Sequence, residues 1–196
     1  METISNSKFD WTFWTTFALA LVGALAWLQP LLISWFQVVE INGKILSNDV
    51  NIGSIPNHSD HQTIYFQKIA IYSKNKDFFL RDIKVFVKYP SISNELPCIL
   101  WTWKELIFTF QEQGQSIRKK LNINLSDYLI QSIVFPKNET KVGYVSFSVD
   151  FKKDEMFEFV RYEFKDFNGK KKKITFSKKD IEANKLIHDS NIWVDL

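Results

Sequence analysis

Residues 11–39, WTFWTTFALALVGALAWLQPLLISWFQVV, decide how this chain is organised, because no charged side chain interrupts them. A helix from Trp11 to Phe36 rises about 39 Å at about 1.5 Å per residue. That exceeds a hydrocarbon slab of about 30 Å, so such a helix spans a bilayer with tilt. Trp11 and Trp14 at one end, with Trp35 and Phe36 at the other, stand where indole rings concentrate at membrane interfaces. Pro30 lacks an N–H and is expected to kink or end the spanning part near Leu28. A surface helix of a water-soluble protein needs a polar stripe, and this segment has none.

Ala24-Leu25-Ala26 offers a small-residue cleavage site, so a removed signal peptide is the rival reading. Two features oppose it. The apolar run continues well past Ala26, and residues 1–10 set one Lys8 against Glu2 and Asp10 rather than forming a basic leader. The expected layout is a short polar tail over 1–10, one uncleaved transmembrane helix over 11–36, and a soluble domain over 37–196. Lys8 and Lys44 balance the two flanks, so the positive-inside rule does not choose a side. Residues 41–196 hold 24 of the 25 Lys and Arg against 19 of the 22 acids. Together with a single cysteine, Cys98, which suits a reducing compartment, that excess points to a cytoplasmic domain at a bacterial inner membrane.

Past the anchor the hydrophobic period changes from helical to alternating. In DIKVFVKY, Ile83, Val85, Val87 and Tyr89 share one face while Asp82, Lys84 and Lys88 share the other. Residues 142–151 alternate likewise, with Val145, Phe147, Val149 and Phe151 opposite Tyr144, Ser146, Ser148 and Asp150. These are half-buried strands. Asn42-Gly43 and Asn168-Gly169 predict two tight hairpins, since Asn-Gly fills a two-residue turn with positive φ. Residues 62–72, 98–110, 128–135 and 191–196 are further strand candidates, 103–110 having a helical alternative. Ser177-Lys-Lys-Asp180 has the form of a capping box, which predicts a short helix over 180–187.

Seven to nine short strands with little helix predict an antiparallel β-sandwich, a small β-barrel being the alternative. The stretch KIAIYSKNKDFFLRDIKVFVKY, residues 68–89, resembles the paired-strand pattern of immunoglobulin-like sandwiches in bacterial surface and membrane proteins. The resemblance implies an immunoglobulin-like fold class and no particular function, because a fold does not carry its function with it.

Candidate sites are few. His58, Asp60 and His61 in one loop are competent metal ligands, but no third-ligand spacing accompanies them, and a solvated loop after Pro56 is the preferred reading. No nucleophile elbow, phosphate-binding loop, dinucleotide fingerprint or zinc-binding helix motif occurs, and no catalytic residue or cofactor is expected. Basic clusters at Arg118-Lys119-Lys120 and at Lys170, Lys171, Lys172 and Lys173 with Lys178 and Lys179 suit anionic lipid headgroups. Protection of a strand edge is the preferred reading for Lys170 to Lys173, which follow a hairpin turn, and a net charge of +3 does not predict a nucleic-acid partner. Within the helix, Thr12, Thr16, Ala20 and Ala24 recur every four residues beside Gly23. Such a small-residue ridge lets helix backbones approach in lipid.

The expected function is a membrane-tethered binding or assembly module, not an enzyme, whose partners are the bilayer and a protein or a second copy. One alternative is a stimulus-gated effector, similar in layout to small bacterial anti-phage effectors, in which the helices oligomerise. The other is a periplasmic metal-handling module depending on His58 and His61.

Overall fold

Helix α1 runs over Trp11–Phe36 with Pro30 inside it. The helix continues past Pro30, and the Gln37 amide closes its last turn on the Ile33 carbonyl at 2.9 Å. All its side chains are exposed within the protein, and it is long and apolar enough to cross a membrane. This computed structural model describes residues 11–54, 61–102, 105–112, 115–149, 155–183 and 193–195. The chain divides into two compact units, 1–38 and 39–196.

The second unit is built of antiparallel strands. The first sheet has the order β1 (Glu40–Ser54), β2 (His61–Lys74), β9 (Thr140–Ser148), β5 (Ile99–Trp101). The second has the order β11 (Lys171–Ser177), β10 (Phe159–Asp166), β3 (Phe78–Lys88), β4 (Leu96–Pro97), with β8 (Val134–Phe135) also on β3. A third joins β12 (Trp193–Asp195), β7 (Gln115–Asn122) and β6 (Glu105–Glu112). Each sheet runs open from edge to edge, so the described strands form no closed barrel. The short helix α2 (Lys178–Ala183) follows β11. Ser177 and Asp180 cap it reciprocally: the Ser177 amide donates to Asp180 Oδ2 at 2.8 Å and the Asp180 amide to Ser177 Oγ at 3.4 Å.

One apolar core draws on the first two sheets together. Ile83, Val85, Val87 and Tyr89 from β3 and the residue after it pack with Ile69 and Ile71 of β2, Phe147 of β9, and Val160, Tyr162 and Phe164 of β10. Alternation along β3 delivers this face as expected, since successive side chains point to opposite sides. Each such fully buried side chain contributes on the order of 1.5–3 kcal/mol.

Four local expectations are corrected. Asn42-Gly43 is not a turn: β1 continues through it, pairing Asn42 with Tyr72 and Gly43 with Ile71. Neither residue has a positive φ. A Cβ on Gly43 would lie 3.0 Å from Ile174 Cδ1 and 3.1 Å from Ile71 Cδ1, so this glycine serves close packing instead. By contrast, Asn168-Gly169 does turn, with Gly169 at φ +82°. Residues 128–135 are not one strand: Leu129–Gln131 is a 3-10 turn, preceded by another at Leu125–Asp127, and only Val134–Phe135 (β8) is strand. The helical alternative for 103–110 gives way to β6, which pairs with β7 throughout its length.

The fourth correction concerns β9, which from Gly143 onward is not wet on either face. Tyr144, Ser146 and Ser148 are buried as well as Val145, Phe147 and Val149. A second core of Ile64, Phe66, Leu121, Ile123, Tyr128 and Tyr144 covers that outer face. The segment between β5 and β9 supplies its lid, which alternation within β9 alone cannot reveal.

Candidate functional site

Chemistry-bearing residues fall in four places on this scaffold. The first is α1. Its ridge residues Thr12, Thr16, Ala20, Gly23 and Ala24 all lie in the helix, and a Cβ on Gly23 would meet no atom within 4 Å. Thr16 Oγ1 donates to the Thr12 carbonyl at 2.8 Å. That ties the hydroxyl to its own helix, so the ridge offers shape more than a free donor. Trp11, Trp14 and Trp35 are exposed at the helix ends.

The second place is the proposed metal loop. His58 and Asp60 lie outside the described residues, as does His188, while His61 is the first residue of β2. Among the described residues no group of three His, Cys, Asp or Glu is arranged to hold a metal ion.

The third is a polar chain inside the shared core. Tyr162, fully buried, donates its hydroxyl to Gln67 Oε1, and Gln67 Nε2 donates to Asn48 Oδ1 at 2.7 Å. Tyr89 donates to Tyr65 nearby, beside Cys98. Burial pushes the tyrosines and the Cys98 thiol up from their ordinary ranges. A thiol held protonated in this way is a poor nucleophile. These groups satisfy one another between the sheets, and their arrangement favours a fixed core over reactivity. Sequence reasoning missed Gln67, although its signal is present: it is polar at an inward position of β2, between Tyr65 and Ile69.

Below Trp101, where β5 ends against β9, lies a cavity of about 10 Å³ lined by Ile83, Tyr128, Tyr144 and Ser146. The buried Ser146 hydroxyl has no hydrogen-bond partner among the described residues. That volume holds one water at most. Trp101 Nε1 donates to Ser148 Oγ at 2.8 Å.

The fourth is the set of basic residues, which the structure separates. Lys170 and Lys171 stand at the start of β11, whereas Lys178 and Lys179 lie beyond its other end. Seven strand residues separate them by about 23 Å at about 3.3 Å each. Lys171 Nζ is 2.9 Å from Glu163 Oε1, and that hydrogen bond is the main reason the Glu163 carboxyl sits below its usual range. Lys173 stands opposite Glu163 in register. Arg161 pairs with Glu95, lies 3.7 Å from Glu163 and stacks 4.4 Å over the Phe86 ring. Lys172 is half-buried, and Lys178 pairs with Glu182 at 3.8 Å. Arg118, Lys119 and Lys120 belong to β7, where Lys119 pairs with Phe108 and Asp195.

Compared with known families and with curated proteins, the chain matches none. Among solved structures it is similar to a "putative lipoprotein" from Bacillus subtilis, at 13% identity and a TM-score of 0.39. The alignment covers 74% of this chain and 39% of that one, so the chain spans well under half of that protein's length.

Proposed function

We propose that the protein is a single-pass, membrane-anchored binding module. Helix α1 is retained as the anchor, and the β domain docks a protein partner at the membrane surface. The observation that carries this reading is α1 itself: 26 residues, free of charge, with Glu40 of β1 only four residues beyond its end. So short a connection leaves the domain little reach from the bilayer. The small-residue ridge gives the helix a face for a second copy or a partner helix.

The β domain is immunoglobulin-like in this reading. Labelled in chain order, the first sheet runs A-B-E-D and the second G-F-C followed by one more strand. That order supports the reading, since the immunoglobulin class pairs an A-B-E-D sheet with a G-F-C sheet; β6, β7, β8 and the 3-10 turns would then be an insertion before strand E. Placement of the domain on the cytoplasmic side of a bacterial inner membrane is supported by its lysine excess and by the free thiol of Cys98.

Fractionation tests the reading. The full chain should remain in the membrane pellet after alkaline carbonate, while a chain beginning at Gln37 should appear in the supernatant with its β content intact. Release of the full chain by carbonate contradicts the anchor. Retention of the shortened chain after a high-salt wash contradicts the claim that α1 alone inserts.

A further inference from the structure

We infer that the end of the β domain at which the chain enters β1 is a docking surface for anionic lipid headgroups. The inference rests on the reading of α1 as a bilayer anchor, and it assigns the domain a membrane-facing end.

Strand directions define that end. β1 begins there and β2 finishes there, with Glu40 opposite Lys74. Residues 75–77 join β2 to β3, and residues 136–139 lead from β8 into β9 beside them, the Asn138 amide donating to the Ser73 carbonyl at 2.7 Å. The turn 167–170 joins β10 to β11 at the same end, because Asp166 stands opposite Leu80 near the start of β3.

Lys76, Lys137, Lys141 and Lys170 lie on these loops or at their margins, and none of their ammonium groups is in an ion pair among the described residues. Lys74 pairs with Glu40 at 3.6 Å. The same loops carry acids as well: Glu139, and Asp77 and Asp166, whose Oδ1 atoms accept from Lys137 N at 2.6 Å and from Lys170 N at 2.7 Å. Lys74, Lys76, Lys137, Lys141 and Lys170 thus stand against Glu40, Asp77, Glu139 and Asp166, a small positive excess among the described residues. Phe167, 60% exposed at the tip of the turn, adds an aromatic ring beside the lysines. An exposed ring among lysines suits the headgroup layer, where aromatic side chains partition and basic groups meet anionic lipid.

The opposite end differs in sign. Its described loops carry Glu95, Glu155, Glu158, Asp180 and Glu182 against Lys88, Lys178 and Lys179. Among the described residues the two ends of the domain therefore differ in the sign of their charge. Three residues, 37–39, separate α1 from β1, and fully extended they reach about 10 Å. Whatever the tilt of the domain, a connection of that length keeps the start of β1, which belongs to the basic end, close along the chain to the end of the anchor. Salt should weaken the contact, since exposed charges are screened within about 10 Å at 0.1 M.

The test uses the full chain reconstituted into vesicles of neutral phosphatidylcholine, or of the same lipid with phosphatidylglycerol added. An environment-sensitive fluorophore on Phe167→Cys is read for quenching by nitroxide-headgroup lipid, with Ser93→Cys at the opposite end as comparison. The parent chain, labelled through Cys98 alone, gives the background. At least twofold stronger quenching at 167 than at 93 is expected in the anionic vesicles. It should fall toward the neutral-vesicle value in high salt, or when Lys76, Lys137, Lys141 and Lys170 are all changed to Gln. Equal quenching at 167 and 93, or equal quenching at 167 in the two lipid compositions, overturns the inference while leaving the anchor intact. A chain that fails to float with either vesicle overturns the anchor and the inference together.

Discussion

Replacing Phe147 with Ala is expected to destabilise the β domain by about 3–5 kcal/mol, the range for emptying a large aromatic site in a packed core. Phe147 is fully buried on β9, with its ring 5.3 Å from that of Tyr65 and 6.4 Å from that of Phe157. Tyr65 and Phe157 also touch at 4.6 Å, so the three rings form one cluster inside the shared core. Removing the central ring loses its transfer free energy and leaves a void that its rigid neighbours cannot close. Thermal unfolding of the full chain in detergent, followed by circular dichroism, should show a fall in midpoint on the order of 10 °C. Phe147→Leu, which keeps most of the volume, should lose less. An unchanged midpoint for Phe147→Ala would mean that the two sheets do not share this core.

The second large effect is expected at Gly143. A Cβ there would sit 2.8 Å from the Asp127 carbonyl oxygen and 2.9 Å from two carbons of Leu129. Backbone cannot rotate away as a side-chain tip can, so Gly143→Ala must push the 3-10 turns off β9 at a cost of about 1–3 kcal/mol. Gly43→Ala is the instructive comparison. Its closest neighbours are the terminal Cδ1 atoms of Ile174 and Ile71, which can shift, so its cost should be smaller. Gly143→Ala should also make the segment 125–131 more sensitive to protease, because the second core depends on Tyr128 there. Equal stability of Gly143→Ala and the parent would contradict the packing of those turns on β9.

These two sites mark what the sequence does and does not make legible. The anchor is readable directly, since an uncharged run of that length has few alternatives. Alternation gives the inward face of β3 and half of β9, because a period of two is a local property. The covering of the other half of β9 is not local: Leu121, Ile123 and Tyr128 arrive from a separate segment. The two Asn-Gly pairs make the same point sharply. At 168–169 the flanking Asp166 accepts from the Lys170 amide and Gly169 takes a positive φ, so turn chemistry is complete. At 42–43 the strand runs on, and the glycine is explained by Ile174 of β11, far away in the chain. The polar chain from Asn48 through Gln67 to Tyr162 was equally hidden, its last link joining residues 95 apart.

The candidate surfaces divide in the same manner. Sequence proximity groups Lys170 through Lys173 with Lys178 and Lys179, but β11 carries them to opposite ends of the domain. Lys74, Lys76, Lys137 and Lys141 come close to Lys170 only through the pairing of β2 with β9 and of β3 with β10. Composition registers the excess of lysine, and only topology registers its polarity.

The intact mass of the chain recovered from membranes tests the central claim most directly. An anchor that is retained requires the full 23.1 kDa polypeptide, with residues 1–26 still attached, in a carbonate-resistant membrane fraction. A product shortened by cleavage after Ala26, found free of the membrane, would make residues 11–26 a signal sequence and contradict the account.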